Sequence, residues 1–181
     1  SEWPLDTLSA YCFFEGPLAE ESPAPGVVPY TVQTPLWADR AEKGRYIVLP
    51  PGGTIDVGDD RDEWEFPLGS VVIKSFYFSL DRRDPDGPAR IIETRLLLRE
   101  PEGWTAHTYV FDDAQQEATR KVAGARVEVA YIDTEGAPAE QLYLVPNTNQ
   151  CGNCHERDDE FLVLGPFTGQ MNVPGQLDAM A

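Results

Sequence analysis

The chain reads as a mainly β protein of the α+β type, an antiparallel sheet with a few short helices, and three observations predict it. From Tyr46 onward, short apolar runs are divided by Pro50-Pro51-Gly52-Gly53, Asp59-Asp60, Asp84-Pro85-Asp86-Gly87 and Glu102-Gly103, the punctuation of strands joined by turns. The run Ser70 to Phe78 supports the side-to-side alternation of a strand. The prolines of Ser22-Pro23-Ala24-Pro25-Gly26 remove backbone donors and fix φ, so the first thirty residues should wrap the surface in extended form rather than add a long helix.

Strands are expected near 46–49, 70–79, 90–99, 105–111, 126–132 and 140–145. Two helices are expected between them. In Thr34-Pro35-Leu36-Trp37-Ala38-Asp39-Arg40-Ala41-Glu42-Lys43-Gly44, Thr34 can cap, Pro35 suits the first helical position and Gly44 can end about two turns. In Ala114 to Val122, the preceding Asp112 and Asp113, the pair Gln115-Gln116 at capping-box spacing and Gly124 as a stop make the same case. No internal repeat is evident. The division expected is an N-terminal segment 1–30 packed on the domain, a β-rich domain 31–172, and a tail or linker 173–181.

The 181 residues with 41% hydrophobic content suffice for one domain with a real core. The charge is less ordinary. With 31 acidic against 14 basic residues, net −17, the chain repels nucleic acid and anionic lipid and suits cationic partners. No apolar run reaches the length of a membrane span, and Ser1-Glu2-Trp3 lacks the basic start and apolar middle of a signal peptide.

Chemistry concentrates late, at Cys151-Gly152-Asn153-Cys154-His155. Two thiols three apart, followed directly by a histidine, have the spacing that attaches c-type haem: each sulfur forms a thioether to a vinyl group, and the adjacent imidazole reaches the iron. Two other readings compete. A structural zinc site would need further ligands, which only Cys12 and His107 remain to supply. A redox dithiol or a disulfide has no use for His155, and the alternating strand and helix pattern around a thioredoxin-type motif is missing. The reading adopted is haem c, with His155 as the metal ligand. Covalent haem is assembled outside the cytoplasm, so the motif implies a periplasmic or secreted protein whose export signal is not in this sequence. The remaining thiol, Cys12, sits among Tyr11, Phe13 and Phe14 and is expected to be a small buried group.

Lys74 is the second informative residue. By alternation it shares a strand face with Val72, Phe76 and Phe78, and the chain has only three lysines. A buried lysine tends to lose its proton and becomes a nucleophile or ligand. The competing reading points this face at solvent, with the lysine stem lying over the aromatics.

Taken together, Val28-Pro29-Tyr30, Thr34-Pro35-Leu36-Trp37, Phe66-Pro67-Leu68-Gly69, Ile92-Glu93-Thr94-Arg95-Leu96-Leu97, Gly103-Trp104, Asn149-Gln150 with the haem motif, Leu164-Gly165-Pro166 and Gln170-Met171-Asn172 resemble an uncharacterised family of bacterial secreted proteins. More distantly, over about residues 30 to 160, the order of a Gly-x-Val-x-x-Lys strand, a Gly-Trp strand and a late haem motif resembles cytochrome P-460 and cytochrome c-prime-beta. That resemblance implies a β-sheet haem c domain, unlike the helical c cytochromes. It also implies a lysine cross-linked to the haem ring, here Lys74, and a distal carboxylate on the next strand, here Glu93. Glu93, Arg95 and Leu97 share a face by alternation, and a simple cross-strand ion pair of Glu93 with Arg95 is the alternative.

Opposite His155 the sequence offers few ligands. His107 lies on a strand with Thr105 and Tyr109 on its face and reads as a hydrogen-bonded or surface histidine; Met171 could swing back, whereas Met180 ends a polar tail. The aspartate clusters Asp56 to Glu63 and Asp81 to Asp86 do not match the calcium-loop spacing and read as solvated loops. Two functions are therefore carried forward. One is a mono-haem c protein with an open distal site, a possible haem-dependent oxidoreductase acting on nitric oxide, hydroxylamine or peroxide, in which Lys74, Glu93 and Arg95 are the catalytic candidates. The other is an electron-transfer or accessory haem c domain with six-coordinate iron that docks a redox partner protein. A homodimer is compatible with either.

Overall fold

The computed structural model describes residues 3–58, 64–157 and 160–180. Among these residues there are twelve strands, β1 (Phe14–Glu15), β2 (Ser22–Pro23), β3 (Val27–Pro29), β4 (Glu42–Val48), β5 (Val71–Ser79), β6 (Ala89–Glu100), β7 (Gly103–Phe111), β8 (Ala118–Arg120), β9 (Ala125–Ile132), β10 (Pro138–Val145), β11 (Glu156–Arg157) and β12 (Glu160–Phe161), and three short helices late in the chain, α1 (Thr148–His155), α2 (Thr168–Met171) and α3 (Gln176–Met180). The mainly β, antiparallel architecture expected from the sequence is what forms. Its centre is a six-stranded sheet in the order β3-β4-β5-β6-β7-β8, and β9 and β10 make a separate antiparallel hairpin.

The sheet has two differently clothed faces. Tyr46, Val71, Ile73, Leu96, Leu98, Tyr109 and Phe111 belong to a back face, covered by Leu8, Phe13, Leu18 and Val27 of the N-terminal segment. That segment runs as two 3-10 turns and three short strands, as its prolines dictate. The front face is covered at one end by the β9–β10 hairpin, through Val129, Tyr131, Tyr143 and Val145 packed on Phe76, Phe78 and Ile92. At the other end Val163 and Met171, together with Trp64 and Phe66, pack on Ile47, Val72, Leu97 and Ala106. A β-bulge after Phe76, where the register jumps from Glu93 to Ile91, lets both Ile92 and Glu93 face the front.

Five of the six strands expected from the sequence are present at nearly the expected bounds, the sixth, expected near 46–49, runs over Glu42–Val48 and so takes in part of an expected helix, and neither expected helix forms. Residues 35–41 form an irregular loop in which Asp39 (φ 47°) and Arg40 (φ 70°) are left-handed, which no α-helix tolerates. Gly44 lies inside β4, where a side chain would crowd the Glu21 carboxylate at 3.2 Å. In the second segment Asp112 Oδ1 accepts from the Gln116 N–H at 2.9 Å, Gln115 is left-handed, and its side chain bonds both the N–H and the carbonyl of Ile91. The aspartate thus makes a tight turn into β8 rather than a helix cap. Gly124 has another purpose: a Cβ there would lie 2.4 Å from the Val145 carbonyl oxygen, so its absence lets β10 and α1 pass close by.

Cys12 is exposed rather than buried; it ends the first 3-10 turn at φ 56°, which turns its side chain out while Phe13 packs inward. The segment 173–180, expected as a tail or linker, packs on the domain: Gln176 accepts from the Thr31 N–H at 2.7 Å, and Leu177 and Met180 adjoin the front-face cluster. Asp59, Asp60, Asp62 and Glu63 of the first acidic cluster lie outside the described residues. Asp56 accepts from Gly58, and Asp81 is held by Arg83 at 2.6 Å in an exposed turn. Among the described residues no helix is long and apolar enough to cross a membrane.

Candidate functional site

The motif occupies α1 for a local reason. Pro146 cannot extend β10, and Asn147 and Gln150 form a reciprocal capping box that starts the helix at once. The Thr148 N–H bonds the Val122 carbonyl at 3.0 Å, tying that start to the loop that holds Gly124. Cys151 and Cys154, one turn apart, fall on one side of α1. Cys151 is half-buried against the front-face cluster that includes Met171, whereas Cys154 is exposed. Burial pushes the Cys151 thiol up, and the nearby Arg95 charge draws it partly back.

His155 is held by the short strand pair β11–β12 that follows it. Its ring Nδ1–H donates to the Leu162 carbonyl at 2.8 Å, while the Leu162 N–H donates to the His155 carbonyl at 2.7 Å. The Phe161 ring stacks on the imidazole, centroids 5.1 Å apart and planes 4° from parallel. A backbone carbonyl bound to one ring nitrogen is the usual support of an imidazole that holds a metal through the other.

The expected distal residues share the front face with this helix. Arg95 pairs in register with Lys74 on one side and Thr108 on the other, and Lys74 pairs with Arg45 of β4. Glu93 is wholly buried and bound through Oε2 to Arg95 Nε at 2.9 Å and through Oε1 to Arg95 Nη2 at 2.5 Å. The Tyr143 hydroxyl donates to Glu93 Oε1 at 2.8 Å. The pair therefore runs along one strand, not across two, and is closed by a tyrosine from the hairpin. Lys74 lies between the two readings offered for it: partly buried, with Nζ 5.4 Å from the Phe76 ring centroid, the same ring that carries the Arg95 guanidinium at 4.2 Å. Burial lowers the Lys74 amine to about 8, helped by the charges of Lys43, Arg45 and Arg95.

The structure thus brings together Cys151, Lys74, Glu93 and Arg95, and seats His155 at the end of the same helix. His107 is not part of this group. It pairs with Leu96 on the back face, half-buried, with Nε2 3.1 Å from Thr105 Oγ1. Cys12 lies in the segment that covers that same back face, so the two further residues a four-ligand zinc site would draw on are across the sheet from the thiols. Met171 is fully buried in the cluster that Cys151 adjoins. Sequence reading missed Arg45, Tyr143 and the supports of His155, because each depends on a pairing between distant segments. Two surface cavities, one lined by Leu8, Phe13, Phe14, Leu18, Gln115 and Gln116 and the other by Thr54, Ile55, Val57, Glu65 and Phe66, include none of these residues.

In comparison with known proteins, no family model, no curated protein and no solved structure matches this chain.

Proposed function

We propose that the chain is a mono-haem c protein, attached through Cys151 and Cys154, with His155 Nε2 on the iron and a distal side open to small molecules. The observation that carries it is the imidazole itself, its Nδ1–H committed to the Leu162 carbonyl at 2.8 Å at the end of a helix bearing both thiols. A donor set of two free thiols and one oriented imidazole fits a covalently held haem. When bound, haem iron supplies a site for nitric oxide, hydroxylamine or peroxide and exchanges electrons with it. The chain's own residues do the rest. Phe161 and Leu162 fix the proximal ring, and Arg95 and Tyr143 keep the Glu93 carboxylate oriented where it can hold or pass a proton. Lys74, with its weakened hold on its own proton, is the residue for the amine that the P-460 resemblance assigns to the haem ring.

The second reading, an electron-transfer domain with six-coordinate iron in a periplasmic or secreted protein, is favoured by one observation: Met171 is fully buried in the front-face cluster against which Cys151 packs. Expression with a c-type haem maturation system decides. A pyridine haemochrome spectrum and an intact mass one haem above the polypeptide are expected, both lost in Cys151→Ala/Cys154→Ala. A high-spin ferric spectrum that responds to nitric oxide supports the open site; a low-spin spectrum in both oxidation states that is lost in Met171→Ala supports the second reading. Protein without covalent haem after such maturation overturns both.

A further inference from the structure

Arg45, Lys74 and Arg95 are direct cross-strand neighbours on β4, β5 and β6. Strands lie roughly 4.8 Å apart, so three cations stand side by side across about 10 Å of one face, with Lys43 one step along β4 on the same side. Like charges directly opposite one another in a sheet are destabilising. The chain holds this row although it has 31 acidic residues to place against it. Among the described residues one carboxylate, Glu93, reaches the row, and both its oxygens are taken by Arg95. Among the described residues neither Lys74 nor Arg45 has an ion pair. The contacts seen for them are the Phe76 ring under Lys74 and the Lys43 carbonyl 3.5 Å from Arg45 Nη1. Glu42, in the same strand as Arg45, is turned to the back face, where it accepts from Ser79. The row also lies where the two apolar coverings of the front face leave off, between the β9–β10 hairpin and the C-terminal segment.

We propose that the row Arg45–Lys74–Arg95 is an anion site that takes a carboxylate or small oxyanion across β4, β5 and β6. Arg45 offers a guanidinium fork for a planar oxygen pair, Arg95 offers its Nη1 edge beyond the two bonds it makes to Glu93, and the Lys74 ammonium between them, in protein where that amine is not joined to haem, contributes a point charge. This goes beyond the haem reading and rests on it only for one source of the anion. The group is either an oxyanion from solution, brought beside the iron, or a propionate of the haem.

The test is calorimetric titration with sodium sulfate, at constant ionic strength held with chloride, into two proteins: the haem-loaded chain and the haem-free Cys151→Ala/Cys154→Ala variant. Sulfate binding to both, weakened at least tenfold by Arg45→Gln and by Lys74→Gln and retained by Arg45→Lys, supports the site and identifies a solution oxyanion. Binding to the haem-free variant alone supports the site with the propionate as its natural occupant. Absence of binding to both proteins, or binding unchanged by Arg45→Gln and Lys74→Gln, overturns it. A melting temperature raised by sulfate in the parent but not in Arg45→Gln gives a second readout if the titration heats are small. If maturation yields no covalent haem, the haem reading fails while the sulfate arm still judges the row.

Discussion

Arg95 grips Glu93 with two hydrogen bonds, Nε to Oε2 at 2.9 Å and Nη2 to Oε1 at 2.5 Å, two residues apart on one strand face. The carboxylate is wholly buried, whereas 29% of the arginine side chain remains exposed. The carboxylate therefore depends on the arginine for compensation more than the arginine depends on it. Removing one partner of such a pair leaves a buried charge unmatched, at a cost of roughly 3–5 kcal/mol.

Arg95→Ala is expected to lower unfolding free energy by about that amount, read as a lower urea midpoint at unchanged slope. Glu93→Gln in the same background should recover much of the loss, because a neutral amide can still accept from Tyr143. If Arg95→Ala costs less than about 1 kcal/mol, the pair does not sustain the buried carboxylate.

Behind the same strands sits a second buried carboxylate. Glu21 accepts from Ser75 Oγ, from Thr94 Oγ1 at 3.4 Å and from Tyr46 OH at 3.4 Å on the back face. Burial raises its pKa from 4.5 to about 7, against those hydrogen bonds, which lower it. A folded state that holds its proton more tightly than the unfolded one is favoured at low pH. The contribution is fully present below about 4.5 and is lost as pH rises to about 7 and beyond, on the order of 3 kcal/mol in all. Wild type should thus lose on the order of 3 kcal/mol more than Glu21→Gln between pH 4.5 and 8, measured by urea unfolding across that range. Parallel pH profiles would refute the assignment.

Gly124 sets the position of α1. A methyl group there would meet the Val145 carbonyl oxygen at 2.4 Å and the Asn147 nitrogen at 2.9 Å, and its φ of 72° suits glycine. Gly124→Ala is expected to cost roughly 2 kcal/mol or more, since the contacts are backbone and cannot rotate away. Because Asn147 caps α1, the same change should lower covalent haem yield more than Gly136→Ala, a glycine of similar φ in the β9–β10 turn whose nearest neighbour is the flexible end of Arg83. Equal yields in the two variants would separate the cap from the proposed haem attachment.

What the sequence disclosed and what it hid divide along a physical line. The strands were legible because their ends are written in local turn chemistry, as at Asp84-Pro85-Asp86-Gly87 before β6 and Glu102-Gly103 before β7. Two helices were misread where cap-like residues serve turns: Asp112 bonds Gln116, and Asp39 and Arg40 adopt left-handed backbone. Alternation correctly gave the face shared by Lys74 and Phe76, but it says nothing of which residue lies beside Lys74 on the next strand. Arg45 and Arg95 become its neighbours through register alone. Tyr143 reaches Glu93 from fifty positions away, and Leu162 reaches His155 through the pairing of β11 with β12. The motif was readable from spacing, whereas the groups that orient it were not.

Lys74 offers the last measurement. Every charged group facing it from its own and adjoining strands, Lys43, Arg45 and Arg95 as cations and Glu93 as the one anion, acts on its proton. Burial comes first among the causes, followed by the three cations, and together they lower the amine to about 8; only Glu93 opposes them. An unfolded chain keeps this proton to about 10.5, so the unfolded state binds more protons between about 8 and 10.5, and the penalty carried by the folded state at neutral pH is relieved as pH rises through that window. The rate at which a small acylating reagent labels Lys74, followed by peptide mass analysis of haem-free protein, should rise with a midpoint near 8. Arg45→Gln should move that midpoint upward, because one neighbouring cation is gone while the burial is unchanged. A midpoint near 10.5 in wild type would mean that Lys74 swings clear of the face, and a midpoint indifferent to Arg45→Gln would mean that the two cations do not share it.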